Sequence, residues 1–113
     1  MFYLGPIFDK KILFGAYQAC SVFCLPSTME TPGISALEAA YFNKPIVITK
    51  YGGTKYYFKD QAYYVNWRKT QEIKNAIQES LIHPVVQTRQ LIEQYDWNKI
   101  AIMYLNEYKK ILQ

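Results

Sequence analysis

Histidine and cysteine are nearly missing from this sequence, which holds one of the former, His83, and two of the latter, Cys20 and Cys24. Metal chemistry loses its usual ligands by that scarcity. Cys20 and Cys24 lack the C-x-x-C spacing and have no histidine partners, so they read as reduced, buried thiols. His83 stands before Pro84 at an apparent helix end, where it can face the last carbonyls. There is no apolar run near the ~20 residues that a spanning helix requires. The N-terminus, Met1-Phe2-Tyr3-Leu4-Gly5-Pro6, has neither the basic n-region nor the h-region of a signal peptide. Strong charge is absent as well. The net charge is +4 and is scattered, densest at Lys50, Lys55, Lys59, Arg68 and Lys69. A nucleic-acid surface wants a tighter basic stripe, whereas this loose one suits an anionic ligand or anionic lipid.

What is present is apolar and aromatic. Half of the 113 residues are hydrophobic and 17% are aromatic, mostly tyrosine, which excludes a disordered chain and suits one globular domain. The expectation is a soluble, intracellular protein.

Short apolar runs alternate with amphipathic stretches, the pattern of a parallel sheet with helices on its faces. Phe2-Tyr3-Leu4 reads as a strand closed by Gly5-Pro6. Asp9 can cap a helix with Ile12, Leu13, Ala16 and Tyr17 at helical spacing. Ser21 to Leu25 is a second strand, stopped by Pro26. A polar loop from Ser27 to Pro32 leads into a helix from about Gly33 to Phe42, ended by Asn43-Lys44-Pro45. Pro45 to Thr49 is apolar without alternation, as in a strand covered on both faces. Gly52-Gly53 marks a loop, and Ala62 to Val65 a fourth strand. Thr70 can cap a helix that turns Ile73, Ala76, Ile77 and Leu81 inward. Further helices are expected over 85–94 and 97–112, the last with a stripe of Trp97, Ile100, Ala101, Tyr104, Tyr108 and Ile111. Four strands and a start directly in a strand suggest a doubly wound domain lacking its first βα units.

The informative segment runs from Pro26 to Ala40, from the carboxyl end of a strand into a helix N-terminus, where open α/β sheets bind ligands. Gly33 removes a side chain there, so a phosphate or hydroxyl can approach the amides of Gly33, Ile34 and Ser35. At about 100° per residue, Ile34, Leu37, Glu38 and Tyr41 share one helix face, read as the sheet-facing stripe. A carboxylate in such a stripe needs donors. A ligand diol would supply them, and so would a backbone amide or a lysine from elsewhere in the chain. Glu30 lies in the preceding loop, with seven residues between the two glutamates. Two carboxylates repel phosphate, so they suit sugar hydroxyls while the amides suit the phosphate. Gly52-Gly53, after the next strand, lies on the same sheet edge; paired glycines admit a ligand to the backbone, and equally make a plain turn.

In order, Phe2-Tyr3-Leu4-Gly5, Pro26-Ser27 with Glu30, Gly33-Ile34, Leu37-Glu38-Ala39, Pro45-Ile46-Val47-Ile48-Thr49, Gly52-Gly53 and Tyr95-Asp96-Trp97 resemble the retaining glycosyltransferases called group 1, or family four. The resemblance covers essentially the whole chain. It implies a Rossmann-like part of the C-terminal, donor-binding domain of a GT-B fold, residues 1–113 forming a single incomplete domain without the acceptor-binding domain. It implies that Glu30 meets hydroxyls of the donor sugar as the catalytic-site carboxylate and that Glu38 holds the ribose hydroxyls. Gly33, Ile34 and Ser35 would then face the sugar or diphosphate, Gly5 the base, and Gly52 and Gly53 the donor. The chain departs from the family pattern at Tyr56, where an acidic residue is common, and at Pro32, where an aromatic is common. The Arg/Lys pair that grips the diphosphate has no counterpart here.

The implied reaction is transfer from a nucleoside-diphosphate sugar to a glycan or lipid-linked acceptor, with retention and without a metal or other cofactor. Polysaccharide biosynthesis in the cytoplasm, at the inner face of the membrane, would be the setting. The implied partners are the nucleotide sugar, the acceptor and the missing N-terminal domain, with no nucleic acid. Peripheral membrane association and self-association through the last helix are compatible with the pattern. The alternative is a non-catalytic Rossmann-like module serving assembly or regulation. A sugar-nucleotide epimerase of GT-B fold fits the glutamate spacing less well.

Overall fold

The computed structural model describes residues 1–85 and 87–113. Its elements follow the order α1 (Lys10–Ala19), β1 (Phe23–Leu25), α2 (Ile34–Tyr41), β2 (Ile46–Thr49), α3 (Thr54–Phe58), β3 (Tyr63–Val65), α4 (Thr70–Ile82), α5 (Thr88–Ile92), a 3-10 turn (Glu93–Tyr95) and α6 (Trp97–Ile111). The three strands are parallel in the order β1-β2-β3, with Phe23 opposite Ile46 and Val47 opposite Tyr63. This is a Rossmann-like α/β arrangement.

Local chemistry explains most boundaries. The Asp9 carboxylate accepts from the Lys11 amide at 2.8 Å and starts α1. Asn43, at φ +54°, takes the left-handed turn after α2. The Asp96 side chain accepts from the Asn98 amide and starts α6. Helix α4 begins at Thr70 with no side-chain cap from Lys69; the Glu72 carboxylate instead receives the Asn66 amide at 2.9 Å.

β2 is the centre of the molecule. Ile46, Val47, Ile48 and Thr49 are all fully buried, each apolar side chain contributing about 1.5–3 kcal/mol by leaving water. Ile46 and Ile48 join Tyr17, Phe58, Ile92 and the alanines of α2 in one core. Val47 alternates to the other face, and α4 packs against β2 and β3.

Four expectations change. Phe2, Tyr3 and Leu4 form no strand and stand 94%, 93% and 74% exposed. An apolar triplet becomes a strand only where a neighbour's free backbone edge receives it, and this one lies off the sheet. The residues after Gly53 form a short helix, α3, where only a loop was expected. Ser80, not Leu81, turns inward from α4. The helix expected over 85–94 is confined to Thr88–Ile92 and the following 3-10 turn, and Val86 lies outside the described residues.

Candidate functional site

The carboxyl ends of β1 and β2 release two loops that bond to each other. The Glu30 amide donates to the Tyr51 carbonyl at 3.2 Å, and the Gly53 amide donates to the Glu30 carbonyl at 2.9 Å. This parallel bridge between Glu30 and Gly52 stitches the motif loop to the glycine loop. Gly52 has φ +93°, and a β-carbon there would meet the Glu30 carbonyl oxygen at 2.2 Å. Only glycine fits. The second loop is closed from within, where the buried Thr54 hydroxyl donates to the Thr49 carbonyl at 2.8 Å.

Glu30 is thereby set over the start of α2. Gly33, the N-cap residue, is at φ +83°, and its missing β-carbon leaves room 3.5 Å from the Glu30 carboxylate. The carbonyl of Gly33 accepts from Ala36 and Leu37, at 3.0 and 3.1 Å. The amides of Ile34 and Ser35 have no acceptor among the described residues, as first-turn amides ordinarily do not. A carboxylate beside that partly positive helix end is electrostatically favoured and shares its space with any anion bound there.

Glu38 lies on a different face of α2 from the one expected. The sheet-facing residues are Ala36, Ala39 and Ala40, all fully buried, while Ile34 and Tyr41 are 71% and 45% exposed. Small side chains let the helix approach the sheet closely, and the bulky ones turn outward. Glu38 therefore faces not the sheet but an open groove of about 640 Å³. Phe14 of α1, Leu37 and Tyr41 of α2, Ile92 of α5, and Tyr95 and Trp97 line the groove. Its partner is neither an amide nor a lysine: the Tyr17 hydroxyl donates to Glu38 Oε2 at 2.8 Å. Also lining the groove, Arg89 stacks over the Tyr41 ring at 4.2 Å, donates to its hydroxyl at 3.1 Å, and pairs with Glu93 at 3.1 Å.

The structure thus gathers Glu30, Gly33, Gly52 and Gly53, with Ile34 and Ser35 on the adjoining turn and Glu38 farther along α2. Gly5 is apart, in the irregular segment before α1, with nothing within 4 Å of where its β-carbon would lie. Tyr17 was legible only as an apolar helical position, since its partner is 21 residues away. Both thiols are free and half-buried rather than buried, and burial pushes each above the ordinary thiol value. Among the described residues no group of three or more His, Cys, Asp or Glu could hold a metal ion, and no helix is long and apolar enough to cross a membrane.

Two parallel strands, their loops joined at Glu30 and Gly52, and a helix start stripped to glycine make a site for a polar ligand, but many α/β proteins share such parts. Comparison with known families is more specific. Residues 7–98, more than four fifths of the chain, match the family described as glycosyl transferases group 1. Neither curated proteins nor solved structures returned a match. The parallel sheet with flanking helices is consistent with the C-terminal domain of a GT-B fold. The chain belongs to the group 1 glycosyltransferases.

Proposed function

We propose that this chain is the donor-binding part of a retaining glycosyltransferase that uses a nucleoside-diphosphate sugar. One observation carries the reading: the bridge to Gly52 sets the Glu30 carboxylate over Gly33, beside the open amides of α2, while Glu38 faces the groove. Carboxylates accept from hydroxyls, and helix-start amides donate to phosphate oxygens. Glu30 then meets the sugar hydroxyls, the amides of Gly33, Ile34 and Ser35 the diphosphate, and Glu38 the ribose diol. Leaving-group charge at the diphosphate is stabilised by these amides together with positive side chains. No metal has a role in this scheme. The acceptor is a glycan or a lipid-linked sugar at the cytoplasmic face of a membrane, in polysaccharide assembly.

Residues 1–113 form one domain on this reading, with half of the cleft elsewhere, so the isolated chain binds donor without turning it over. Ligand-observed NMR against UDP, GDP, ADP and their common sugars tests it. Selective binding of one nucleotide, weakened in Glu38→Ala, supports the site, and donor turnover above a Glu30→Ala control sinks the claim of inactivity. No binding by a folded chain favours a second reading, a non-catalytic assembly module, whose motive is α6. Trp97, Tyr104, Tyr108 and Ile111 on that helix are 85%, 62%, 60% and 79% exposed.

A further inference from the structure

Helix α1 meets the candidate site at two side chains: Phe14 lines the groove, and Tyr17 bonds to Glu38. Tyr17 is 7% exposed, its ring tilted against Phe23 at 5.8 Å and stacked on Phe42 at 6.2 Å between centroids. Held on both sides, the ring leaves its hydroxyl one direction, and that direction ends on Glu38 Oε2. Burial first, and then the Glu38 carboxylate, push the phenol far above its ordinary range, so the donor keeps its proton at physiological pH.

The terminal torsion of a glutamate is broad and roughly two-fold, so an unrestrained carboxylate swings. A hydrogen bond to one oxygen stops that motion. Oε1 accepts nothing among the described residues, and an ionised carboxylate offers about four lone-pair sites. Glu38 is therefore held without being used up. We propose that Tyr17 is a positioning residue of the donor site, fixing the Glu38 carboxylate so that its free oxygen meets the ribose diol of the nucleotide. This rests on the reading of Glu38 given above, and it adds a residue from a helix outside the motif.

The experiment titrates the intact chain with UDP, GDP and ADP, and with their 2′,3′-dideoxy counterparts, in wild type, Tyr17→Phe, Glu38→Ala and the double variant. Tyr17→Phe keeps the ring and removes only the hydroxyl. Expected are ribonucleotide binding about fivefold weaker in Tyr17→Phe, unchanged dideoxynucleotide binding, and no added loss in the Glu38→Ala background. In the wild type, the Tyr17 hydroxyl proton should shift on ribonucleotide addition and stay in place with the dideoxy form, a readout that requires no variant to fold. Equal weakening of both nucleotide forms, or an undiminished loss without Glu38, overturns the positioning role and leaves the donor site standing. A folded wild-type chain that binds neither form overturns the donor site itself, and this role with it.

Discussion

Gly52 and Glu30 fit together only because position 52 carries no side chain: a β-carbon there would collide with the carbonyl oxygen of Glu30. The contact belongs to the bridge that holds the motif loop on the glycine loop. Gly52→Ala must both strain a backbone at φ +93° and push a neighbouring backbone aside. We expect a loss of about 1–3 kcal/mol in urea unfolding, with nucleotide affinity falling alongside. Gly15→Ala is the control, in α1 with nothing within 4 Å of the added carbon. It should stabilise the chain by roughly 0.5–1 kcal/mol. Equal effects at the two glycines would contradict the bridge as the reason for Gly52.

Thr54 closes the same loop by donating to the Thr49 carbonyl while fully buried. Thr54→Val keeps the shape and deletes the donor, so about 1 kcal/mol should disappear, with Thr54→Ser losing less of the bond but some packing. Thermal melts of the three proteins read this out, and a Thr54→Val variant as stable as wild type speaks against the hydroxyl.

Alkaline pH should unfold the chain in a defined window. Burial first, and then Asp60, push the Tyr64 phenol from its ordinary value of 10.0 to about 12. The unfolded chain then releases this proton before the folded one does. The stabilisation is fully present below pH 10.0 and is lost as pH rises through about 12. Tyr17 is shifted in the same direction. Urea midpoints measured from pH 8 upwards should therefore fall with pH, and more shallowly in Tyr64→Phe. Identical slopes would remove Tyr64 as the cause.

Helix α6 presents an apolar surface that a chain alone in water should try to cover. Sedimentation is expected to show concentration-dependent association, weakened by Tyr104→Lys, since Tyr104 is 62% exposed on that helix. A monomer at all concentrations would mean that the lysines of α6 keep it dispersed.

Much of this could be read along the chain because it depends on near neighbours. Asp9 starts α1 and Asn43 closes α2 through bonds or torsions within a few residues. The unbroken apolar run of β2 announces a strand covered twice. The glutamate spacing and Gly33 marked where to look, because helix starts and strand ends have a fixed chemistry. The face of α2 was harder. Periodicity groups Ile34, Leu37, Glu38 and Tyr41 correctly but does not say whether that group or the alanines opposite meets the sheet, and close approach favoured the alanines.

By itself, then, the sequence determined the α/β class, the Asp9 cap and the Asn43 turn, the central strand and the family motif, all of them consequences of local torsion and of hydrophobic period. Thr70, expected to cap α4, is instead its first helical residue. Tertiary structure alone decided that residues 2–4 stay off the sheet, that Glu30 is locked to Gly52, and that Glu38 bonds to Tyr17. The reason is that such pairings join residues about 20 apart, where no periodicity relates them and only the packing of helices on β2 brings them within hydrogen-bond reach.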